Sequence, residues 1–169
     1  RRAVILQAGL FEEQNRGLHG CEDLDLWLRL TPLYPFAGTG EPLVRYRLHT
    51  NTFSANPGHM QRAAKTVIEK NFGMDDGKYG TWSEEKKRAF GGFYRFQVLK
   101  SIQKEGDWNS ATEFLCKAFA IDQTLSGDLD LFYELAFGTQ PSGYRDTGYH
   151  LELETNAMFI MRMLTDAFN

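Results

Sequence analysis

The sequence predicts an α+β fold that is predominantly α-helical. Apolar residues recur at helical spacing over several long stretches, most clearly 58–72, 84–105 and 108–121. One short stretch, 43–48, instead alternates apolar and polar residues, which is typical of a half-buried strand. A run rich in turn-forming residues, 73–83, separates two parts of the chain and indicates a boundary or linker.

Composition excludes several classes of protein. The 169-residue chain is 42% hydrophobic and 14% aromatic, which is enough for a core and argues against disorder. Its formal net charge of −3 gives no electrostatic case for binding nucleic acid or an anionic membrane. No apolar run is long enough to span a bilayer. Cys21 and Cys116 lie far apart, which indicates free thiols in a reducing, cytoplasmic compartment.

The first part of the chain, 1–72, combines helices with a predicted strand pair. Gly9 is expected to end the first helix, and Pro32 the second. In that second helix, Trp27 lies at helical spacing with other apolar residues and is expected in the core. The predicted elements are helix 1–8, loop 12–20, helix 21–31, extended segments 36–39 and 43–48, and helix 58–72.

The second part, 84–169, is predicted to be helical throughout. Ser83 precedes the first helix and is expected to cap it at Lys86, and Gly106-Asp107 ends that helix and caps the next. Residues 90–121 look like a single tetratricopeptide-like hairpin, although one such unit cannot bury its own apolar face. The predicted helices are 84–105, 108–121, 127–137 and 150–167.

The richest cluster of acidic residues begins the helix predicted over 21–31. Glu22, Asp23 and Asp25 follow Gly20, and carboxylates near a helix N-terminus satisfy unpaired N–H groups and the helix dipole. Capping explains one acid but does not require all three. Arg29 can pair with Asp25 at i+4 and is given no catalytic role.

Three segments, in the right order, resemble the second half of the catalytic domain of family 2 glycosyltransferases. These are AGLFEE at 8–13, GCEDLDLWLRL at 20–30 and EPLVRYRLH at 41–49. The resemblance covers roughly residues 1–70. It implies an A-type fold in which this chain supplies the C-terminal fragment of an α/β nucleotide-sugar transferase domain, followed by a helical bundle. It also implies an inverting transfer of sugar from a nucleotide-sugar donor to a glycan, lipid or protein acceptor.

The resemblance assigns roles to individual residues. Asp23 matches the base that takes the proton of the acceptor hydroxyl, with Glu22 beside it contacting the acceptor or the base. Gly20 belongs to the loop that runs beside the donor phosphates in this family. The alternative is that this stretch is an ordinary surface loop. Capping of the helix is the alternative role for Glu22 and Asp23.

A divalent metal, Mn²⁺ or Mg²⁺, is implied in the same way. His49 corresponds to a histidine that often binds this metal after the last core strand. Arg45 and Arg47 could neutralise phosphate. The alternatives are that His49 is an ordinary loop residue and that both arginines are only solvated.

The chain does not begin with Met and lacks the family's nucleotide-binding half with its Asp-x-Asp metal motif. We therefore expect a piece of a longer enzyme that is inactive alone and that can form homo-oligomers through a severed sheet edge. The rival hypothesis is a non-catalytic helical protein-interaction module in 84–169. The predicted division is a catalytic fragment at 1–72, a linker at 73–83 and a helical extension at 84–169.

Overall fold

The computed structural model describes residues 1–45, 56–139 and 150–168. Within these ranges the protein is predominantly helical, as the sequence predicts. Short 3₁₀ turns at Arg16–Leu18, Tyr79–Thr81 and Gln123–Gly127 join some of the helices. The α-helices are α1 (Arg2–Gln7), α2 (Glu22–Leu30), α3 (Pro57–Phe72), α4 (Glu84–Glu105), α5 (Trp108–Ile121), α6 (Leu129–Ala136) and α7 (His150–Phe168).

The expected strand pair is not present in the described part of the chain. Residues 36–39 and 43–45 contain no strand, and 46–48 lie outside the described residues. The alternation of 43–48 predicted one buried face, yet Leu43 is 72% exposed and Val44 is 83% exposed. A strand is stabilised by cross-strand neighbours and by burial of one face, and neither is supplied to 43–45 by the described residues.

The chain divides into two compact units, Arg1–Asp75 and Asp76–Asn169. In the first unit, α2 and the turn at Arg16–Leu18 both pack on α3. Asn56 caps α3 by accepting a hydrogen bond from the His59 N–H at 3.0 Å. The small core of this unit consists of Leu18, Cys21, Ala63 and Val67, with Leu24, Leu28, Met60 and Ala64 packed against it.

The expectation that Trp27 lies in the core is wrong. Its side chain is 56% exposed, while Asp25, Leu26 and Leu30 are the buried residues of α2. The buried face of α2 is thus turned away from Trp27. The physical reason is that α3 presents polar partners to Asp25, and these partners offset the cost of burying a charged group on that face.

In the second unit, α4 and α5 form the most extensive helix pair. The predicted caps are confirmed: Ser83 accepts a hydrogen bond from the Lys86 N–H, and Asp107 accepts one from the Ser110 N–H. Gly106 ends α4 with φ of +59°, a conformation that glycine adopts without strain. The core comprises Val98, Leu99, Ile102, Ala111, Leu115, Phe119, Leu131, Leu135 and Met163.

A buried amide joins the last two helices. Asn156 on α7 is only 2% exposed, and its Nδ2 donates to the Ala136 carbonyl at 2.9 Å and to Thr139 Oγ1 at 3.1 Å. These bonds satisfy a polar group that would otherwise be costly to bury and complete the C-terminal end of α6. No helix in the described ranges is both long and apolar enough to cross a membrane.

Candidate functional site

A cleft of about 480 Å³ in the first unit brings together two of the three segments that carry the resemblance. We call it the acidic cleft, because four of its lining residues are carboxylic acids. One wall comes from the turn after α1 and the other from the approach to α2 and its first turn. The lining residues are Phe11, Glu12, Glu13, His19, Gly20, Glu22 and Asp23.

Asp23 lies in the first turn of α2 and is exposed to solvent. Its Oδ1 accepts a hydrogen bond from the Leu24 N–H at 2.8 Å. The carboxylate therefore lies at the positive end of the helix dipole, where a negative charge is favoured. An exposed carboxylate with a backbone contact of this kind can accept a proton from a bound hydroxyl group.

Glu22 is half-buried, and its Oε2 accepts a hydrogen bond from the Gly20 N–H at 2.9 Å. Gly20 has φ of +91°, a conformation that a residue with a Cβ rarely adopts. The N-cap residue of α2 is Cys21, whose side chain makes no capping hydrogen bond. The Glu22 side chain thus points back toward the glycine turn and stabilises it. Asp23 is then the exposed acid at the N-terminus of the helix.

Cys21 is buried beneath these acids and is a free thiol, as is Cys116. Burial raises the pKa of the Cys21 thiol, and the charges of Asp23 and Glu22 raise it further. Since the thiolate is the nucleophilic form, Cys21 stays protonated and inert at neutral pH. Its role in the first unit is that of a small apolar residue in the core.

The remaining predicted site residues lie elsewhere. Arg45 is described and exposed, and it does not line the acidic cleft. Arg47 and His49 fall outside the described residues. The structure therefore brings Gly20, Glu22 and Asp23 together in one cleft and does not place Arg45 with them.

The implied divalent metal can be tested only against the described residues. No group of three or more His, Cys, Asp or Glu side chains within 1–45, 56–139 and 150–168 is arranged to hold a metal ion. The carboxylates of the acidic cleft do not form such a group by themselves.

Sequence analysis missed most of a charged network in the first unit that is centred on Asp25. The Asp25 carboxylate is fully buried. It accepts hydrogen bonds from Arg29 Nε at 3.0 Å and Asn71 Nδ2 at 3.3 Å, and lies 3.0 Å from Lys70 Nζ. The spacing of Asp25 and Arg29 already indicated their pairing, whereas nothing local in the sequence links Asp25 to Lys70 or Asn71.

The network also sets the ionisation of Asp25. Burial would raise its pKa, but hydrogen bonds from Lys70 and Asn71, together with the charges of Lys70 and Arg29, outweigh burial. The pKa of Asp25 is consequently lowered from its ordinary value, so the group is ionised at neutral pH. A buried charge of this kind is tolerated because it is paired and hydrogen-bonded.

The second unit has a separate groove of about 530 Å³ between α5 and α7. At this groove the rings of Trp108 and Phe159 stack with centroids 4.9 Å apart. Its charged lining residues are Glu113, Lys117, Arg162 and Asp166, two of each sign. This balance favours neither an anionic nor a cationic ligand.

Comparison of the chain with protein-family models, with curated protein sequences and with solved structures found no match. The function of the protein is therefore inferred from its residues and its geometry.

Proposed function

We propose that this chain is part of a metal-dependent, inverting glycosyltransferase in which Asp23 is the general base. The observation that carries the proposal is the acidic cleft. Segments 8–13 and 20–30, which are separated in the sequence, both line this cleft, and Asp23 is one of its lining residues. Both segments carry the resemblance to family 2 glycosyltransferases, which assigns the base to Asp23 and the acceptor contact to Glu22.

In the proposed reaction an acceptor hydroxyl attacks the anomeric carbon of a nucleotide sugar. A new C–O bond forms on the face opposite the departing nucleoside diphosphate, whose C–O bond breaks with its electron pair. Asp23 takes the hydroxyl proton, and the configuration at the anomeric carbon inverts. General-base help of this kind contributes about 10²–10⁴-fold to a rate.

Other groups have supporting roles. Glu22 holds the glycine turn through its bond to the Gly20 N–H and contacts the acceptor from beside the base. When a divalent metal such as Mn²⁺ or Mg²⁺ is bound, it stabilises the charge of the departing diphosphate. In this proposal His49 is a ligand of that metal, and Arg45 and Arg47 contact phosphate.

The proposal also covers the larger protein. Residues 1–72 would be the end of an α/β A-type domain whose nucleotide-binding half and central sheet are supplied by chain outside these 169 residues. The parent enzyme would act in the cytoplasm and can associate with itself. The 169-residue chain alone is expected to release no nucleoside diphosphate from any donor.

The decisive experiment uses the full-length protein with Mn²⁺ and a panel of UDP-glucose, UDP-N-acetylglucosamine and GDP-mannose, measuring nucleoside diphosphate release. Asp23→Asn should lower kcat by about 10²-fold or more, because the base is lost while the side chain keeps its size. The matched control is Asp130→Asn, an exposed acid in the first turn of α6. Equal activity of the two variants would remove Asp23 from the mechanism.

The second candidate function is a helical interaction module in the second unit. It is favoured by the groove between α5 and α7 and by exposed apolar side chains on α7, Met158, Met161 and Phe168. Exposed apolar residues that share one helix are typical of contact surfaces. The interaction module is the preferred function if Asp23→Asn has no effect on transfer and a charge reversal in the groove, Lys117→Glu, alters binding to a partner protein.

A further inference from the structure

The turn after α1 has an unusual backbone. Gly9 has φ of +87° and Leu10 has φ of +62°. Within the described residues, Leu10 is the one non-glycine residue with positive φ. Its side chain is exposed, so its own packing cannot hold this unfavourable conformation. Such a backbone persists only where surrounding groups enforce it, and such groups are commonly found at functional sites.

Arg29 on α2 supplies side-chain contacts that add to the two backbone hydrogen bonds, both of 3.2 Å, that the Gly9 and Leu10 N–H groups donate to carbonyls of α1. Its Nη1 donates to the Ala8 carbonyl, and its Nη2 donates to the Leu10 carbonyl at 2.6 Å. The two carbonyls flank Gly9, so one planar guanidinium group holds both ends of the turn. Arginine is suited to this because its donors form a rigid fork.

The Arg29 guanidinium is itself held in place by Asp25. Its Nε donates to Asp25 Oδ2 at 3.0 Å, and Asp25 is fully buried against Lys70 and Asn71 of α3. Lys70 Nζ also lies 3.7 Å from Glu12 Oε2. The turn and the residue two positions after it are therefore connected through charged groups to the packed pair of α2 and α3.

The three residues after the turn form one wall of the acidic cleft. Phe11, Glu12 and Glu13 line the cleft together with Gly20, Glu22 and Asp23. The chain direction at 11–13 depends on the backbone at Gly9 and Leu10. If Leu10 relaxed to negative φ, this wall would no longer face Asp23 in the same way.

We propose that Arg29 is a positioning residue: it holds the Gly9–Leu10 turn in its strained conformation, so that Phe11, Glu12 and Glu13 face the proposed base Asp23. The consequence for catalysis rests on the proposed function, whereas the positioning itself does not. Arg29 touches no reacting atom and acts through the backbone of the turn.

The test is amide hydrogen exchange of the 169-residue chain, comparing the wild type with Arg29→Lys. Lysine keeps a positive charge for Asp25 but cannot hold two carbonyls with a fixed fork, so exchange of the Gly9 and Leu10 amides, which donate to carbonyls of α1 at 3.2 Å, should rise about tenfold. Exchange within α3 should change much less. The matched control is Arg95→Lys, because Arg95 also donates its Nε to a carboxylate and is likewise 24% exposed. It should leave exchange of the Gly9 and Leu10 amides unchanged.

A second variant tests the same turn from its other side. Leu10→Gly removes the Cβ that makes positive φ unfavourable, so adding it to Arg29→Lys should restore part of the lost protection of the amides at residues 9 and 10. A role of Arg29 in general stability alone would show no such dependence on residue 10. Unchanged exchange in Arg29→Lys, or no recovery in the double variant, overturns the proposal.

Kinetics of the full-length protein then separate the two proposals. Arg29→Lys should raise KM for the acceptor more than it lowers kcat, whereas Asp23→Asn should act on kcat. Raised exchange with unaltered KM and kcat would overturn the link between the turn and the site. If the wild type shows no transfer from any donor, the proposed function fails, and the positioning role is decided by the exchange results.

Discussion

Gly91 on α4 lies against Asp122 at the end of α5 so closely that a Cβ on Gly91 would be 2.9 Å from the Asp122 Cβ. Gly92, the next residue of the same helix, has open space where its Cβ would be. The two glycines share a helix and a sequence context but differ in what surrounds them. Alanine substitutions at these two positions therefore distinguish the effect of packing from the effect of helix propensity.

We predict that Gly91→Ala lowers the free energy of unfolding of the second unit by about 1–2 kcal/mol, since overpacking a close helix contact outweighs the gain in helix propensity. Gly92→Ala should raise it by about 0.5–1 kcal/mol, because alanine costs less backbone entropy than glycine. Urea unfolding followed by amide NMR resonances of α5 measures both. Similar effects from the two substitutions would contradict the close contact.

Asp25→Asn should destabilise the first unit by about 3 kcal/mol, at the lower end of the range for breaking a buried charge pair. The lower end applies because Arg29 and Lys70 are partly exposed and can be rehydrated. The measurement is urea unfolding followed by amide resonances of α3. Asp130→Asn, which changes an exposed acid, should have little effect and serves as the control.

The lowered pKa of Asp25 predicts how the stability of the first unit changes at acidic pH. Because its folded-state pKa lies below the value of about 3.9 in the unfolded chain, its contribution is fully present above the unfolded pKa. The contribution is lost as the pH falls through the folded-state pKa. Unfolding of the first unit at a series of pH values should therefore show a steeper acid loss in the wild type than in Asp25→Asn. Parallel pH profiles would show that Asp25 is not the group responsible.

Gly20→Ala should destabilise the first unit by about 1–2 kcal/mol, since φ of +91° is strained for any residue with a Cβ. In the full-length protein it should also impair transfer, because Gly20 lines the acidic cleft. Gly38→Ala is the control: nothing lies within 4 Å of a Cβ at that position. Amide resonances of α3 in urea compare the two, and equal stability would argue against the strained turn.

Asp128 caps α6 through the Leu131 N–H at 3.1 Å and pairs with Arg95 Nε at 2.9 Å. Asp128→Ala removes both contacts and should cost about 1–2 kcal/mol of unfolding free energy in the second unit. Asp128→Asn keeps an oxygen for the cap and should cost less than about 1 kcal/mol, the value of a partly exposed ion pair. Urea unfolding, followed by the amide resonances of α5, measures the loss of stability in each variant. Equal losses in the two variants would show that the ion pair, and not the cap, accounts for the contribution of Asp128.

Local signals in the sequence predicted most of the helices well. The bounds of α4 and α5 agree with the predicted 84–105 and 108–121, because Ser83, Gly106 and Asp107 act on neighbouring backbone groups. Capping and glycine conformations depend on a few adjacent residues, so a single sequence contains the information needed.

Features that depend on distant partners were predicted poorly. Trp27 was expected in the core from spacing alone, but the buried face of α2 is set by Lys70 and Asn71, more than forty residues further along the chain. The predicted strand at 43–48 failed over its described part because alternation does not supply a neighbouring strand. In the candidate site, no local pattern predicted that segments 8–13 and 20–30 line one cleft, because a contact between separated segments depends on the fold.

The three tryptophans are divided unequally between the units: Trp27 alone lies in the first, and Trp82 and Trp108 lie in the second. Trp27 is 56% exposed, whereas Trp82 is 7% exposed and packs against Phe90. Unfolding of the second unit should shift tryptophan emission to longer wavelength, while unfolding of the first should leave the spectrum almost unchanged. Intrinsic fluorescence is thus an unlabelled optical reporter for one unit, and its difference from far-ultraviolet circular dichroism would show whether the two unfold together.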